Sequence, residues 1–266
     1  MQVLNRKSVQ ASQCRHHYSK NDKDMNKISQ IVIMNYHKRK KEGQYLKKLI
    51  EVSAKPYGIP VQLAFDDGSL GVWGNFAQAL TMGGGTDGNY RIVIHDDMTF
   101  DRNILDKIIH ILECLPENKI LMLYNPTNQD YTECYEKGRH VLETSCNFWA
   151  QCGLYPNELA NEFVDEMNLM SKEDRADDDR LAGYLQRHNM TLFSVVPAFI
   201  QHLGAYRSTF NIPGSINGVE RNSSTVDTQF DVGMCNWYRE FASPYKSKMN
   251  KDYVKIVYKE EYLCRK

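Results

Sequence analysis

The stretch RIVIHDDM, residues 91–98, decides how this chain is read. Four mostly apolar, strand-favouring residues run into His95, Asp96 and Asp97, and the chain turns apolar again at Met98. Two adjacent carboxylates at the end of a buried strand repel each other and both lose hydration, so something positive must compensate.

Working outward, the same arrangement recurs on the N-terminal side. SQIVIMNY (29–36) reads as a buried strand followed by the basic turn HKRKK, and EGQYLKKLIEVSAK as a helix with Tyr45, Leu46, Leu49, Ile50 and Val52 at helical spacing. IPVQLAFDD (59–67) is a second strand, GVWGNFAQALTM a second helix ended by the glycines 83–85, and YRIVIHDD the third strand. DRNILDKIIHILECL continues as an amphipathic helix and KILMLYN (119–125) as a fourth strand. Strands alternating with helices predict a mostly parallel, Rossmann-like α/β sheet flanked by helices. In the second half, VLETSCNFWAQCGLYP is strand-like, NELANEFVDEMNLM and RLAGYLQRHN are helices, and MTLFSVVPAF returns as a strand. The expected organisation is a polar arm at 1–28, a nucleotide-binding and catalytic domain at 29–205, and a loop-rich C-terminal segment at 206–266 packed on that domain.

With 33 basic against 33 acidic residues, no global field draws the chain towards nucleic acid or anionic lipid. No apolar run approaches the roughly 18 residues of a membrane span, and the first residues lack the apolar middle of a secretory signal. Seven scattered cysteines, none spaced Cys-x-x-Cys, argue against a disulfide framework and for a reducing compartment. The expectation is a cytoplasmic protein without a membrane span.

Acidic residues cluster at three places: Asp66-Asp67 at the second strand end, Asp96-Asp97 at the third, and Asp177-Asp178-Asp179 at the start of a late helix. Any one of these reads singly as a turn or helix cap. Three of them in one α/β chain, where ligands sit beyond the carboxyl ends of the strands, point to a shared site. Mn²⁺ or Mg²⁺ is the economical compensating charge, because hard cations take carboxylate oxygens together with substrate phosphates.

These residues resemble nucleotide-sugar glycosyltransferases of the GT-A fold. IVIHDDM is similar to that family's Asp-x-Asp segment, with His95 in place of the first acid, so the resemblance rests the metal on Asp97 and turns Asp96 towards ribose or water. QLAFDDGS stands where a strand-end aspartate meets the nucleotide base, which points to Asp66 and Asp67. IMNYHKR corresponds to the first strand and its loop beneath the nucleotide, bringing in Asn35, Tyr36 and Arg39; Asn75 in GVWGNF is a further donor contact. ADDDRLAGYL resembles the second acidic motif, which makes Asp178 the candidate general base with Asp177 its partner. VVPAFIQHLG resembles the late segment whose histidine completes the metal shell, which points to His202. The implied reaction is metal-dependent transfer from a nucleoside-diphosphate sugar to an acceptor hydroxyl, with inversion. The implied acceptor is a glycan, with a modified nucleic-acid base as the second choice, suggested by the lysines and tyrosines of SPYKSKMNKDYVKIVYK (243–259).

Rival readings are a non-catalytic nucleotide- or glycan-binding module, a sugar nucleotidyltransferase and a polysaccharide deacetylase. The nucleotidyltransferase expects a glycine-rich loop after the first strand, which MNYHKRKKEG is not. The deacetylase needs two histidines about four apart to complete a zinc site, and beyond Asp67 the histidines at 95, 110, 140, 188 and 202 offer no such pair.

Overall fold

The computed structural model describes residues 28–248 apart from 102, 127, 171–176, 204–224, 226 and 228. All but the last residue of the polar arm read at 1–28, much of the loop-rich segment read at 206–266 and the basic stripe beyond 248 therefore lie outside the described residues.

The elements in chain order are β1 (Ile28–Tyr36), α1 (Lys40–Ala54), β2 (Val61–Asp66), α2 (Gly71–Thr81), β3 (Tyr90–His95), α3 (Ile104–Leu112), β4 (Leu121–Met122), α4 (Gln129–Glu136), β5 (Val141–Thr144), β6 (Cys152–Pro156), α5 (Asn157–Met170), α6 (Asp177–Arg187), β7 (Leu192–Val195), α7 (Trp237–Ala242) and β8 (Tyr245–Lys246). Among the described residues eight strands join one sheet in the order β2-β1-β3-β6-β4-β7-β5-β8.

The sheet is mixed, where the sequence pattern suggested a mostly parallel one. β1 runs parallel to β2 and β3, β4 to β7, and β5 to β8. β6 lies antiparallel between β3 and β4, and β5 antiparallel to β7. The reason is the run VLETSCNFWAQCGLYP, which is not one strand. It splits into β5 and β6 around a turn in which Asn147 takes a left-handed φ of 58°. Periodicity alone does not reveal that break, because the residues on both sides of it are apolar.

Two apolar layers clamp the sheet. Ile31, Ile33, Ile92 and Ile94 point to the side covered by α1, α3 and α7, which includes the buried Trp237 and Phe241 of the C-terminal part. Val32, Met34 and Val93 point to the side covered by α2, α5 and α6. In α1 the core stripe is Gly43, Leu46, Ile50 and Ala54. Tyr45 and Val52, read from spacing as apolar-face residues, are 66% and 69% exposed. Helical rows at i, i+3 and i+4 explain the difference: 43, 46, 50 and 54 share one stripe, and 45 and 52 lie off it.

The order β2-β1-β3 contains a switch point. The chain leaves β1 through α1 to one side and returns through α2 to the other, so a crevice opens beyond the carboxyl ends of β1 and β3, where open α/β sheets bind ligands. The loop 36–39 and the residues His95, Asp96 and Asp97 lie there.

Candidate functional site

Asp96 follows the last residue of β3 and its amide still donates to the Met34 carbonyl of β1 at 3.1 Å. Its side chain folds back onto the end of β1. Oδ2 accepts from Asn35 Nδ2 at 2.8 Å and from the Tyr36 amide at 2.9 Å. Oδ1 lies 2.7 Å from Arg39 Nε. Both oxygens are thus engaged by the protein, not turned out towards ribose or water as the resemblance suggested. Burial, with the charge of Asp97, pushes the Asp96 carboxyl up, opposed by Arg39, Asn35 and the Tyr36 amide.

Asp97 is held differently. Arg39 Nη1 lies 2.7 Å from its Oδ2 and His202 Nε2 lies 3.3 Å from the same oxygen, while Oδ1 is buried with no partner. His202 is delivered by a returning segment. It pairs with Met98 in an antiparallel bridge, Thr99 N donates to Gln201 O at 2.8 Å, and Leu203 N donates to Asp97 O at 2.7 Å. Burial works against the charge on Asp97, but His202 and Arg39 more than offset it and hold its carboxyl well below the usual range.

His95 turns to the opposite face of the sheet, as alternation requires, and meets α6: its Nε2 lies 3.1 Å from Asp177 Oδ2. Burial opposes charge on the imidazole, yet the hydrogen bond to Asp177 and the fields of Asp97 and Asp96 raise its pKa. Asp177 is buried in the first turn of α6, where the helix dipole favours an acid. Asp178 is half-buried, its Oδ1 accepting from Asp179 N at 2.9 Å. Burial, with the charges of Asp177 and Asp178, pushes the Tyr155 hydroxyl well above its ordinary value, so both carboxylates act on the face of the sheet below α6.

The structure therefore brings Asn35, Tyr36, Arg39, His95, Asp96, Asp97, Asp177 and His202 together. Asp178 adjoins it, its amide donating to Asp177 Oδ1 at 3.0 Å, whereas Asp66, Asp67 and Asn75 stand apart from that network. Asp66 Oδ1 accepts from Gly68 N at 2.8 Å and Leu70 N at 3.0 Å, and Asp67 Oδ1 accepts from Ser69 N at 3.0 Å, so both brace the turn that leads into α2. Asn75 is buried one turn into α2, its amide oxygen without a partner.

Two glycines shape the surroundings. A Cβ on Gly43 would sit 2.3 Å from Asn35 Nδ2, so only glycine lets α1 press against the residue that holds Asp96. Gly68 has φ +105°, and a Cβ there would meet the His37 ring at 2.6 Å.

Gln151 was missed in the sequence. Its carbonyl accepts from the His95 amide at 2.9 Å, and its own buried amide oxygen has no partner. A single glutamine between Ala150 and Cys152 carries no motif; only the pairing of β6 with β3 brings it to the site. The surface depression lined by Val52, Ser53, Pro56, Tyr57 and Asp106 lies at the far end of α1 from Arg39 and does not touch the strand-end acids.

Do these residues suit a divalent cation? Asp97 offers one buried, unpaired oxygen, and the Nε2 of His202 stands beside its carboxyl group. Among the described residues no group of three or more His, Cys, Asp or Glu side chains is placed to hold a metal ion. A hard cation at Asp97 Oδ1 would take its remaining ligands from a phosphate-bearing substrate and water. Among the described residues no helix is long and apolar enough to cross a membrane. The five described cysteines are free thiols. No protein-family model matches the chain, and no curated protein matches its sequence.

Proposed function

We propose that the chain is a glycosyltransferase that moves a sugar from a nucleoside-diphosphate sugar to an acceptor hydroxyl, with inversion and with Mn²⁺ or Mg²⁺ as cofactor. The observation that carries this reading is the unpaired Oδ1 of Asp97 at the β1/β3 switch point, with His202 and Arg39 gathered on the other oxygen of the same carboxylate.

Asp97 and His202 would hold the cation, which when bound neutralises the charge that builds on the departing diphosphate. The protein's own groups supply the rest. Arg39 presents a planar fork suited to phosphate. Asn35 and the Tyr36 amide fix Asp96, so the loop over β1 keeps one shape against the donor. On the other face, His95 holds Asp177, which seats the first turn of α6. Asp178, the next residue, is the base that takes the acceptor hydroxyl proton as the sugar–diphosphate bond breaks. The acceptor enters on the α6 side, and a glycan hydroxyl is the reading that the pattern of acids best supports.

The test is donor hydrolysis: a panel of nucleoside-diphosphate sugars incubated with the full chain and Mn²⁺, products separated by chromatography. One donor should be cleaved, Asp97→Asn should abolish cleavage, and removal of Mn²⁺ by chelation should stop it. A chain that binds a donor yet turns over none of the panel, with or without metal, would be a binding module instead.

A further inference from the structure

Arg39 spans the acidic pair, with Nε 2.7 Å from Asp96 Oδ1 and Nη1 2.7 Å from Asp97 Oδ2. Its side chain is 13% exposed, and its backbone is pinned because Asn35 Nδ2 donates to the Arg39 carbonyl at 2.9 Å. The positive charge demanded by two adjacent buried carboxylates is therefore already present in the chain.

We propose that Arg39 is the resident counter-ion of this site and couples its two ligands, disfavouring a bare divalent cation and admitting one together with a diphosphate. The inference rests on the nucleotide-sugar reading above and adds to it an order of preference among ligands.

Asp96 is the poorer ligand, since Oδ2 accepts from Asn35 and Tyr36 and Oδ1 is ion-paired with Arg39 Nε, though without a hydrogen bond between them. Asp97 keeps one unpaired oxygen. An ion arriving there alone meets a single carboxylate whose charge is already shared with a guanidinium. It gives up hydration for little return, and Mg²⁺-like ions dehydrate reluctantly. A diphosphate resolves the conflict. Its oxygens chelate the cation and also offer the guanidinium a second planar anion, for which Arg is well shaped. Each ligand then improves the site for the other, and such coupling is reciprocal.

The experiment titrates the full chain with Mn²⁺, following free Mn²⁺ by electron paramagnetic resonance, with and without inorganic pyrophosphate and corrected for their complex in solution. The wild-type chain should bind Mn²⁺ alone weakly and bind it about tenfold or more tightly with pyrophosphate, a coupling of ordinary size. Arg39→Met should bind bare Mn²⁺ about tenfold more tightly than wild type and lose most of the pyrophosphate gain. Arg39→Lys, which keeps a charge without the fork, should fall between, and it carries the test should the methionine variant fail to fold. Equal Mn²⁺ affinity in the wild-type and variant chains, with an equal pyrophosphate gain, would overturn the role of Arg39 and leave the donor reading standing. Failure of every chain to take up Mn²⁺ even with pyrophosphate would sink the metal-dependent reading and this inference with it.

Discussion

His95 Nε2 stands 3.1 Å from Asp177 Oδ2, and this contact joins the end of the central strand to the first turn of α6. Asp177 is only 4% exposed, so removing its partner leaves a buried, uncompensated charge. His95→Leu and Asp177→Leu should each destabilise by about 3 kcal/mol, the low end for breaking a buried pair, and the double variant should lose clearly less than the sum. Urea unfolding of the four proteins measures it; strict additivity would mean that the two groups do not interact.

The neighbouring acids should separate by readout. Asp178→Asn should lower turnover by about 10²-fold or more, the usual loss of a general base, with an unchanged melting temperature. Asp177→Asn should lower the melting temperature first. Steady-state kinetics beside thermal melts decide the matter, and an Asp178→Asn chain with full activity would move the base elsewhere.

Gly43→Ala tests the support beneath Asp96. Alanine should favour a helix by up to about 1 kcal/mol, but here its Cβ would fall 2.3–2.7 Å from the Asn35 amide group. The clash should reverse the sign and cost about 1–3 kcal/mol. In Asn35→Ala/Gly43→Ala the clash is gone, so the pair should be less unstable than the two single losses summed. Chemical denaturation reads both.

The edge strand β8 should loosen in acid. Lys248, Tyr245 and Gln129 donate to Glu133 and depress its pKa to about 2. A depressed carboxyl gives stability that is present above its unfolded value, about 4.3, and is lost as pH falls through the folded one. Amide signals of Tyr245–Ser247 should therefore broaden or shift between about pH 4 and 2. Because Lys248 is exposed, high salt should shrink the effect. Signals that stay constant through that range would show that Glu133 does not hold the strand.

Much of the fold was legible because the alternating and helical patterns of β1, β2, β3, α2, α3, α5 and α6 are local. Other features were not. KILMLYN gives only the two-residue strand β4; Leu123 N still donates to Cys152 O of β6 at 3.0 Å, and the chain leaves the ladder after it. QDYTECYE forms α4 although it is largely polar; Asn128 caps it by accepting from Tyr131 N at 3.2 Å, and Tyr131 and Cys134 anchor it. The basic turn HKRKK shows no sign that Arg39 alone reaches inward to two acids. That contact depends on the parallel register of β1 with β3, which no short window contains. His202 was found by motif order, not by pattern, because its bridge to Met98 joins segments far apart in sequence.

The central claim is that Asp97 takes up a divalent ion. A crystal of the chain grown with Mn²⁺ and a turned-over donor, measured at the manganese absorption edge, tests it directly. The account predicts one anomalous peak at coordination distance, about 2.1 Å, from Asp97 Oδ1, with the diphosphate on its far side and Arg39 turned to a phosphate oxygen. An anomalous peak elsewhere, or a donor bound while Arg39 still bridges Asp96 and Asp97 with no ion at Asp97, would contradict it.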